Sequence, residues 1–312
     1  MILSGTAWAL APAFLGMAAL LSCAGSEAVA PDLGSDKAAR VSAVEEVAPP
    51  SQTALEPAPA DRSFTYEGEL TQGGFIRGTV PDGALSVDLG DQQVEFDAAT
   101  GRFFAAFDRD SLSALELTAQ FRDGDFISET LNISPRDWQI QHVNVARRPG
   151  GASADFMRRR QPELDAIWNA RQRETGATGW TQDFIWPVTG RISGLFGRQR
   201  VYRGEPGSYH SGIDIAPGNG VPFVSPADGV VVLARTGFSL EGGLIIIDHG
   251  AGLNSAFLHA SRIVVEEGQS VLQGQHIGNV GSTGRSTGPH LHWSLKWHLS
   301  RLDPLLFTGA MP

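Results

Sequence analysis

The stretch GPHLHWSL, Gly288–Leu295, sets His290 and His292 on either side of a single leucine, directly after a glycine-rich loop. Trp293 and Leu295 predict a β-strand here, in which side chains alternate between faces with period two. His290 and His292 then share one face, and Leu291 and Trp293 take the other. Two imidazoles side by side can bind a metal or move protons. Taken alone, the same pair also suits a solvated surface strand.

A second cluster lies upstream. In YHSGIDIAPG, His210 and Asp214 stand four apart around Gly212. A helix would bring them together, but Gly212, Pro217 and Gly218 argue against one. In an extended segment, positions 210, 212 and 214 also share a face, and the bare Gly212 leaves room for an ion between the two ligands. Neutral imidazole and carboxylate both bind zinc at about 2.0–2.2 Å. An isolated HxxxD is a weak signal. Joined to FLHAS, which carries His259, and to STGPHLHW, it becomes four histidines and one aspartate within one glycine-rich region. A catalytic zinc takes three protein ligands and keeps a fourth position open. That leaves two histidines for proton transfer or oxyanion contact. The count fits a hydrolase, and spacing alone leaves open which histidines bind metal.

The elements that must hold these groups are mostly β. From residue 183 onward, VPFVS, GVVVLA, LIIIDH, SAFLHA and HLHWSLKW predict strands separated by Gly-rich turns, with no long helix. From Phe64 to Val145, FIRGTV, ALSVDLG, QQVEFDAATGRFFAAF, ALELTAQFRDGDFISETLNI and WQIQHV predict short strands, with PDG, DAATG and RDGD as turns. Strands at this spacing imply a small immunoglobulin-like β-sandwich. Between the two regions, Ser153–Glu174 predicts a helix with Phe156, Leu164, Ile167 and Trp168 on one face. Pro162 is expected to start or kink it, and Arg158–Arg160 to form a solvated face. The loop GSTGRSTG, with Arg285, is a candidate groove wall. His142, His249, His276 and His298 are expected to be structural or exposed.

Composition bounds the partners. A net charge of −10 in 312 residues argues against nucleic acid, which favours a basic surface. The N-terminus is apolar from Ile2 to Leu21 without a charged side chain, and Pro12 and Gly16 interrupt it. Small residues and Cys23 follow, a pattern that fits an export signal better than a membrane span. LLSC resembles a bacterial lipobox, in which the cysteine is lipidated, although Leu21 and the missing Lys or Arg depart from the pattern. Cleavage by an ordinary signal peptidase after Ala24 or Ala30 is the competing expectation. Cys23 is the single cysteine, so no internal disulfide can form. From Ala24 to Arg62 the sequence is rich in Ala, Pro, Glu and Ser and lacks aromatics, the composition of a disordered tether.

From Trp186 to Pro304 the chain resembles the M23 zinc metallopeptidases, the lysostaphin or LytM-type family. The resemblance rests on WPVTGRISGLFGRQR, HSGIDIAPGNGVPFVSPADGVVV, IIIDHGAGLNSAFLHAS, VEEGQSVLQGQHIGNVGSTGRSTGPHLHW and LDP. It implies Zn2+ held by His210, Asp214 and His292, with His259 and His290 as catalytic histidines. Ala260 and the pair Phe257-Leu258 depart from the residues the family usually has there, without removing a polar group. The resemblance further implies an endopeptidase that hydrolyses peptide cross-links or stem peptides of bacterial cell-wall peptidoglycan. The alternatives are a non-catalytic LytM-type activator of cell-wall amidases and a wall-binding lipoprotein. The domain map expected is an export signal over 1–22, a tether over 23–62, a β-sandwich over 63–145, a helical linker over 146–182 and an antiparallel β LytM-type peptidase domain over 183–312. Expected partners are peptidoglycan, a membrane reached through Cys23, and amidase or divisome proteins, in the periplasm or cell envelope.

Overall fold

The computed structural model describes residues 62–146 and 153–312. The expected export signal, Cys23 and the tether up to residue 61 lie outside the described residues. What is described is mostly β, with one α-helix.

The N-terminal β region forms two antiparallel sheets. One orders Thr65–Gly68, Phe75–Thr79 and Arg102–Ala106; the other orders Gln92–Val94, Ala84–Leu89, Ala114–Phe121 and Phe126–Asn132. With strands lettered along the chain and D missing, this is A-B-E against C′-C-F-G, the immunoglobulin-like arrangement expected. Alternation explains the burial. In ALELTAQF, Leu117, Ala119 and Phe121 are buried, and Glu116 and Gln120 face water. The strand Ile140–Val143 joins neither sheet. It pairs in parallel with Gln199–Tyr202, across the expected boundary between the two β regions.

The C-terminal region is built on an eight-stranded antiparallel sheet. Its order is Ser270–Val271, Gly229–Phe238, Gly242–Gly250, Leu253–Leu258, Leu291–Trp297, Ile213–Ala216 and Arg191–Gly194, with Ser300–Leu302 beside Leu291–Trp297. Gly242–Gly250 is buried at every position, so LIIID shows no alternation: both faces of the sheet are covered. Ile213, Ile245, Ile247, Phe257, Trp293 and Leu295 point into the main core. That core continues into the sandwich, where Phe75 stacks on Phe307 at 4.1 Å and Phe104 meets Trp297 edge-on at 6.4 Å. Leu244, Ile246 and Ala256 line the opposite face and receive the helix.

That helix, Ala154–Arg171, starts at Ser153, whose side chain caps the Phe156 amide. Pro162 lies inside it and not at its start. The expected apolar stripe is only partly used. Ala166, Ile167 and Ala170 meet the sheet, whereas Leu164 and Trp168 remain 38% and 53% exposed. Small residues let the helix approach closely, and ion pairs hold what apolar contact does not. Arg158 and Arg159 are exposed as expected of a solvated face, but Arg160 is buried. Its guanidinium grips Glu241 at 2.6 and 2.7 Å and Glu163 at 2.8 Å, while Glu163 also accepts from the Ser239 amide and hydroxyl.

Arg160→Ala leaves Glu163 and Glu241 facing each other without their shared cation. We expect a loss of about 2 kcal/mol, below the ~3–5 kcal/mol of fully desolvated pairs because some water reaches these carboxylates. The midpoint of urea unfolding measures it, and an unchanged midpoint would contradict the role given to this network.

Candidate metal centre

Strand pairing assembles the site. In the antiparallel ladder between Ile213–Ala216 and Leu291–Trp297, Asp214 stands opposite His292. On its other side His292 pairs with Leu258, the residue before His259. All these side chains emerge on the face that also carries the helix. His210 precedes its strand. Its amide donates to the Arg198 carbonyl and its own carbonyl accepts from the Gly197 amide, both at 2.9 Å.

The result is a compact triangle. His210 Nε2 lies 3.0 Å from Asp214 Oδ1 and 3.0 Å from His292 Nδ1, and the third edge is 2.9 Å. Donors around tetrahedral zinc at ~2.05 Å are separated by roughly 3.3 Å, so a small outward shift of each group admits the ion. Two imidazoles and a carboxylate are zinc-binding chemistry, and they leave a fourth position open. The supporting contacts agree. His210 Nδ1–H donates to the Leu195 carbonyl at 2.9 Å, which leaves the Nε2 lone pair aimed into the triangle. Two glycines make the packing feasible. A Cβ on Gly194 would collide with Asp214 Oδ2, and one on Gly212 would collide with the Trp293 carbonyl and approach His292 Nε2 to 2.9 Å. Gly212 therefore lets a neighbouring strand come close. The space its side chain would fill holds protein atoms, a correction to the expectation that it makes room for an ion.

His259 and His290 stand beside the triangle, their ring centroids 4.8 Å apart. His259 Nδ1–H donates to the Thr283 carbonyl at 2.9 Å, and His290 Nδ1 lies 2.8 Å from the Gly288 carbonyl. Both rings thus keep Nε2 for the open side, and His290 Nε2 is 3.6 Å from Asp214 Oδ1. His259 has φ of 67°, a left-handed backbone that few non-glycine residues adopt. It is held there by its amide, which donates to the Glu241 carbonyl at 2.8 Å, and by the Ala260 amide, which donates to Gly243 at 3.1 Å.

Electrostatics sort the five groups. Burial works against the Asp214 charge, but hydrogen bonds from His210 and His292 hold its carboxyl far below the usual range. Burial likewise opposes charge on His210, yet the Asp214 carboxylate outweighs it and keeps that ring above its ordinary value. Burial lowers both His292 and His259. Neutral imidazole is the form that accepts a metal or a proton.

The remaining histidines carry no such cluster. His249 is fully buried between the Asp228 carbonyl at 2.7 Å and Ser255 Oγ at 2.8 Å, and burial pushes it down to about 4. His142 and His276 are exposed, and His298 turns a hairpin at φ of 48°. Sequence reasoning missed the supports: Gly194, the Leu195 and Thr283 carbonyls, and the link from Arg160 through Glu241 to the His259 backbone. Backbone acceptors leave no mark in residue type, whereas Gly194 lay in a quoted motif without a role.

Comparison with known proteins follows the same segment. Residues 208–304 match the sequence model of peptidase family M23. Over 109 residues, 34% of this chain and 24% of the relative, the chain is 42% identical to the peptidoglycan DD-endopeptidase ShyA of Vibrio cholerae. Over 122 residues, 39% of this chain and 30% of the relative, it is 36% identical to the murein hydrolase activator NlpD of Escherichia coli. Over 129 residues, 41% of this chain and 39% of the relative, it is 36% identical to the lipoprotein NlpD/LppB homolog of Pseudomonas aeruginosa. The matched segments thus span 24% to 39% of these relatives' own lengths. A solved protein of Pseudomonas aeruginosa assigned to peptidase M23 superposes with a TM-score of 0.59 at 24% identity, covering 78% of this chain and 96% of the other. That coverage reaches well beyond residues 208–304, so the fold ahead of the match is shared as well.

Gly212→Ala forces the strand bearing His292 away from Asp214. Zinc affinity is expected to fall at least tenfold, the scale on which supporting contacts act. Competition with a chromogenic chelator measures it, and wild-type affinity would contradict the packing described.

Proposed function

We propose that this chain, whose residues 208–304 form a domain of peptidase family M23, is a zinc-dependent endopeptidase acting on bacterial peptidoglycan. Its substrates are the peptide cross-links or stem peptides of the wall. One observation carries the reading: His210, Asp214 and His292 offer ligand atoms within 4.8 Å of one another, and His259 and His290 face the same space with oriented rings. A protein that only activates amidases needs none of these five polar groups.

His210, Asp214 and His292 would hold the zinc. Bound there, zinc supplies Lewis acidity that polarises a carbonyl and lowers the pKa of water from 15.7 to about 7. His259, neutral through burial and with Nδ1–H committed to Thr283, presents Nε2 as the proton acceptor for the attacking water. His290 approaches from the other side and is placed to donate to the tetrahedral oxyanion or the leaving amine. Thr283 and Gly288, on one loop, orient both rings, so loop and chemistry are coupled.

The layout of the chain supports the substrate. We read residues 1–22 as an export signal and Cys23 as a lipid attachment point in the cell envelope, with the segment to residue 62 as the reach between membrane and wall. Among the described residues, no helix is long and apolar enough to cross a membrane. Amidases and divisome proteins are the partners the activator alternative would require.

Isolated sacculi treated with the zinc-loaded protein and then digested by a muramidase should show cross-linked muropeptides converted to uncross-linked ones, a chelator should prevent this, and mass spectrometry names the bond. Unchanged muropeptides with the zinc-loaded protein alone, together with faster amidase action in its presence, would favour the activator instead. His259→Ala and His290→Ala should keep zinc and lose at least ~100-fold in kcat, whereas His210→Ala, Asp214→Ala and His292→Ala should lose the metal. Because burial lowers the His259 pKa, the acid limb of kcat/KM should fall below the ordinary histidine value of about 6.5. An acid limb that His259→Gln leaves unchanged in its residual activity would remove His259 as the base.

A further inference from the structure

Beside His210 opens a cleft of about 1320 Å³ whose walls come from segments distant in sequence. One wall is a pair of neighbouring strands, Gln199–Tyr202 with the preceding Arg198 and Ile140–Val143 with the preceding Gln139, the second well ahead of the residues that match the family. Parallel register sets Arg200 opposite Gln141 and Tyr202 opposite Val143, and the Gln199 amide donates to the Gln139 carbonyl. Alternation along the two strands places Arg198, Arg200, Gln139 and Gln141 on the same side. Arg285 enters the cleft from the loop that also orients His259 and His290.

The charged side chains lining this cleft are all of one sign, Arg198, Arg200 and Arg285, with no acidic residue among them. Gln139 Oε1 accepts from Arg198 Nε at 3.1 Å and Nη2 at 2.8 Å, and Gln141 Oε1 accepts from Arg200 Nε at 3.0 Å. A neutral amide fixes the plane of a guanidinium and leaves its charge intact. Among the described residues, no carboxylate lies within 4.0 Å of Arg198, Arg200 or Arg285, whereas Arg77, Arg136, Arg160 and Arg235 each face one. In a chain of net charge −10, a cleft next to the metal triangle lined by three arginines and no acidic residue suits an anionic ligand. Guanidinium groups held in a fixed plane with N–H groups to spare suit the two oxygens of a carboxylate.

We propose that Arg198, Arg200 and Arg285 bind a free carboxylate of the stem peptide, seating the scissile bond beside His210. The inference rests on the reading of this chain as a peptidoglycan endopeptidase and narrows it to substrates with an unamidated acid near the cut. It also gives the N-terminal region a part in the site. Gln139 and Gln141 set the two guanidinium groups, so residues 208–304 alone would retain only Arg285.

Calorimetry on the metal-free full chain separates binding from turnover. The probes are a stem tetrapeptide ending in a free α-carboxylate and the same peptide as its C-terminal carboxamide. The acid is expected to bind at least tenfold more tightly than the amide. Arg200→Gln and Arg285→Gln, at an exposed strand position and on a loop, should each cut that ratio below threefold, with unfolding midpoint and zinc affinity unchanged. Arg200→Lys, which keeps charge but not the fork, should restore part of it. Equal binding of acid and amide to the wild type, or a ratio that survives the double Gln variant, overturns the proposal. So does displacement of the peptide by equimolar inorganic phosphate, which would reassign the cleft to a phosphodiester polymer. Failure to cleave sacculi while the acid–amide ratio persists would instead sink the endopeptidase reading and leave the carboxylate site standing.

Discussion

The pairing register of three adjacent strands, Ile213–Ala216, Leu291–Trp297 and Leu253–Leu258, is the constraint on which the rest of the site depends. It sets Asp214 opposite His292 and His292 opposite Leu258, so that residues from three distant stretches converge on one face. A slip of one residue would turn His292 into the core and Trp293 out of it. The core forbids that. Trp293 and Leu295 are fully buried on the inner face beside Ile213 and Phe257, and no polar ring could replace them without losing its hydrogen bonds. The apolar half of HLHWSLKW therefore fixes the polar half.

Around that register the backbone does most of the orienting. Carbonyls of Leu195, Thr283 and Gly288 each engage the Nδ1 of one histidine, leaving Nε2 for the site. Gly194 and Gly212 allow approaches that any side chain would block. His259 sits in a left-handed conformation, and such outliers cost of order 1–3 kcal/mol and persist only where surroundings impose them. Here the imposing contact is the Glu241 carbonyl, and the Glu241 side chain is gripped by Arg160 of the helix. A helix outside the matched family segment thus braces a loop of the site from the same sheet face.

Much of this was legible beforehand, and the failures have physical causes. The five polar groups, the β character of both regions and an immunoglobulin-like sandwich follow from residue type, alternation and turn chemistry. So do strands such as Gly229–Phe238 and Leu291–Trp297, whose β-branched and aromatic runs are long. Short or polar strands did not announce themselves: Arg191–Gly194 and Gln199–Tyr202 pair because their neighbours do. The helix misled in two ways. Its burial is set by Ala166 and Ala170, which carry little hydrophobic signal, and Arg160 reads as surface until Glu163 and Glu241 are seen around it. Gly212 was read for the space it leaves, whereas a strand from far along the sequence occupies that space.

The sandwich and the sheet share one core through Phe75, Phe104, Trp297 and Phe307, so the N-terminal region can shape the cleft beside the metal triangle. In the proposed reading, His210, Asp214 and His292 form the zinc site while His259 and His290 stay off the metal. X-ray absorption at the zinc edge of the loaded protein tests it most directly. Two imidazoles and a carboxylate oxygen at about 2.0–2.2 Å with a further light ligand are expected. Three or more imidazoles around the ion would contradict it.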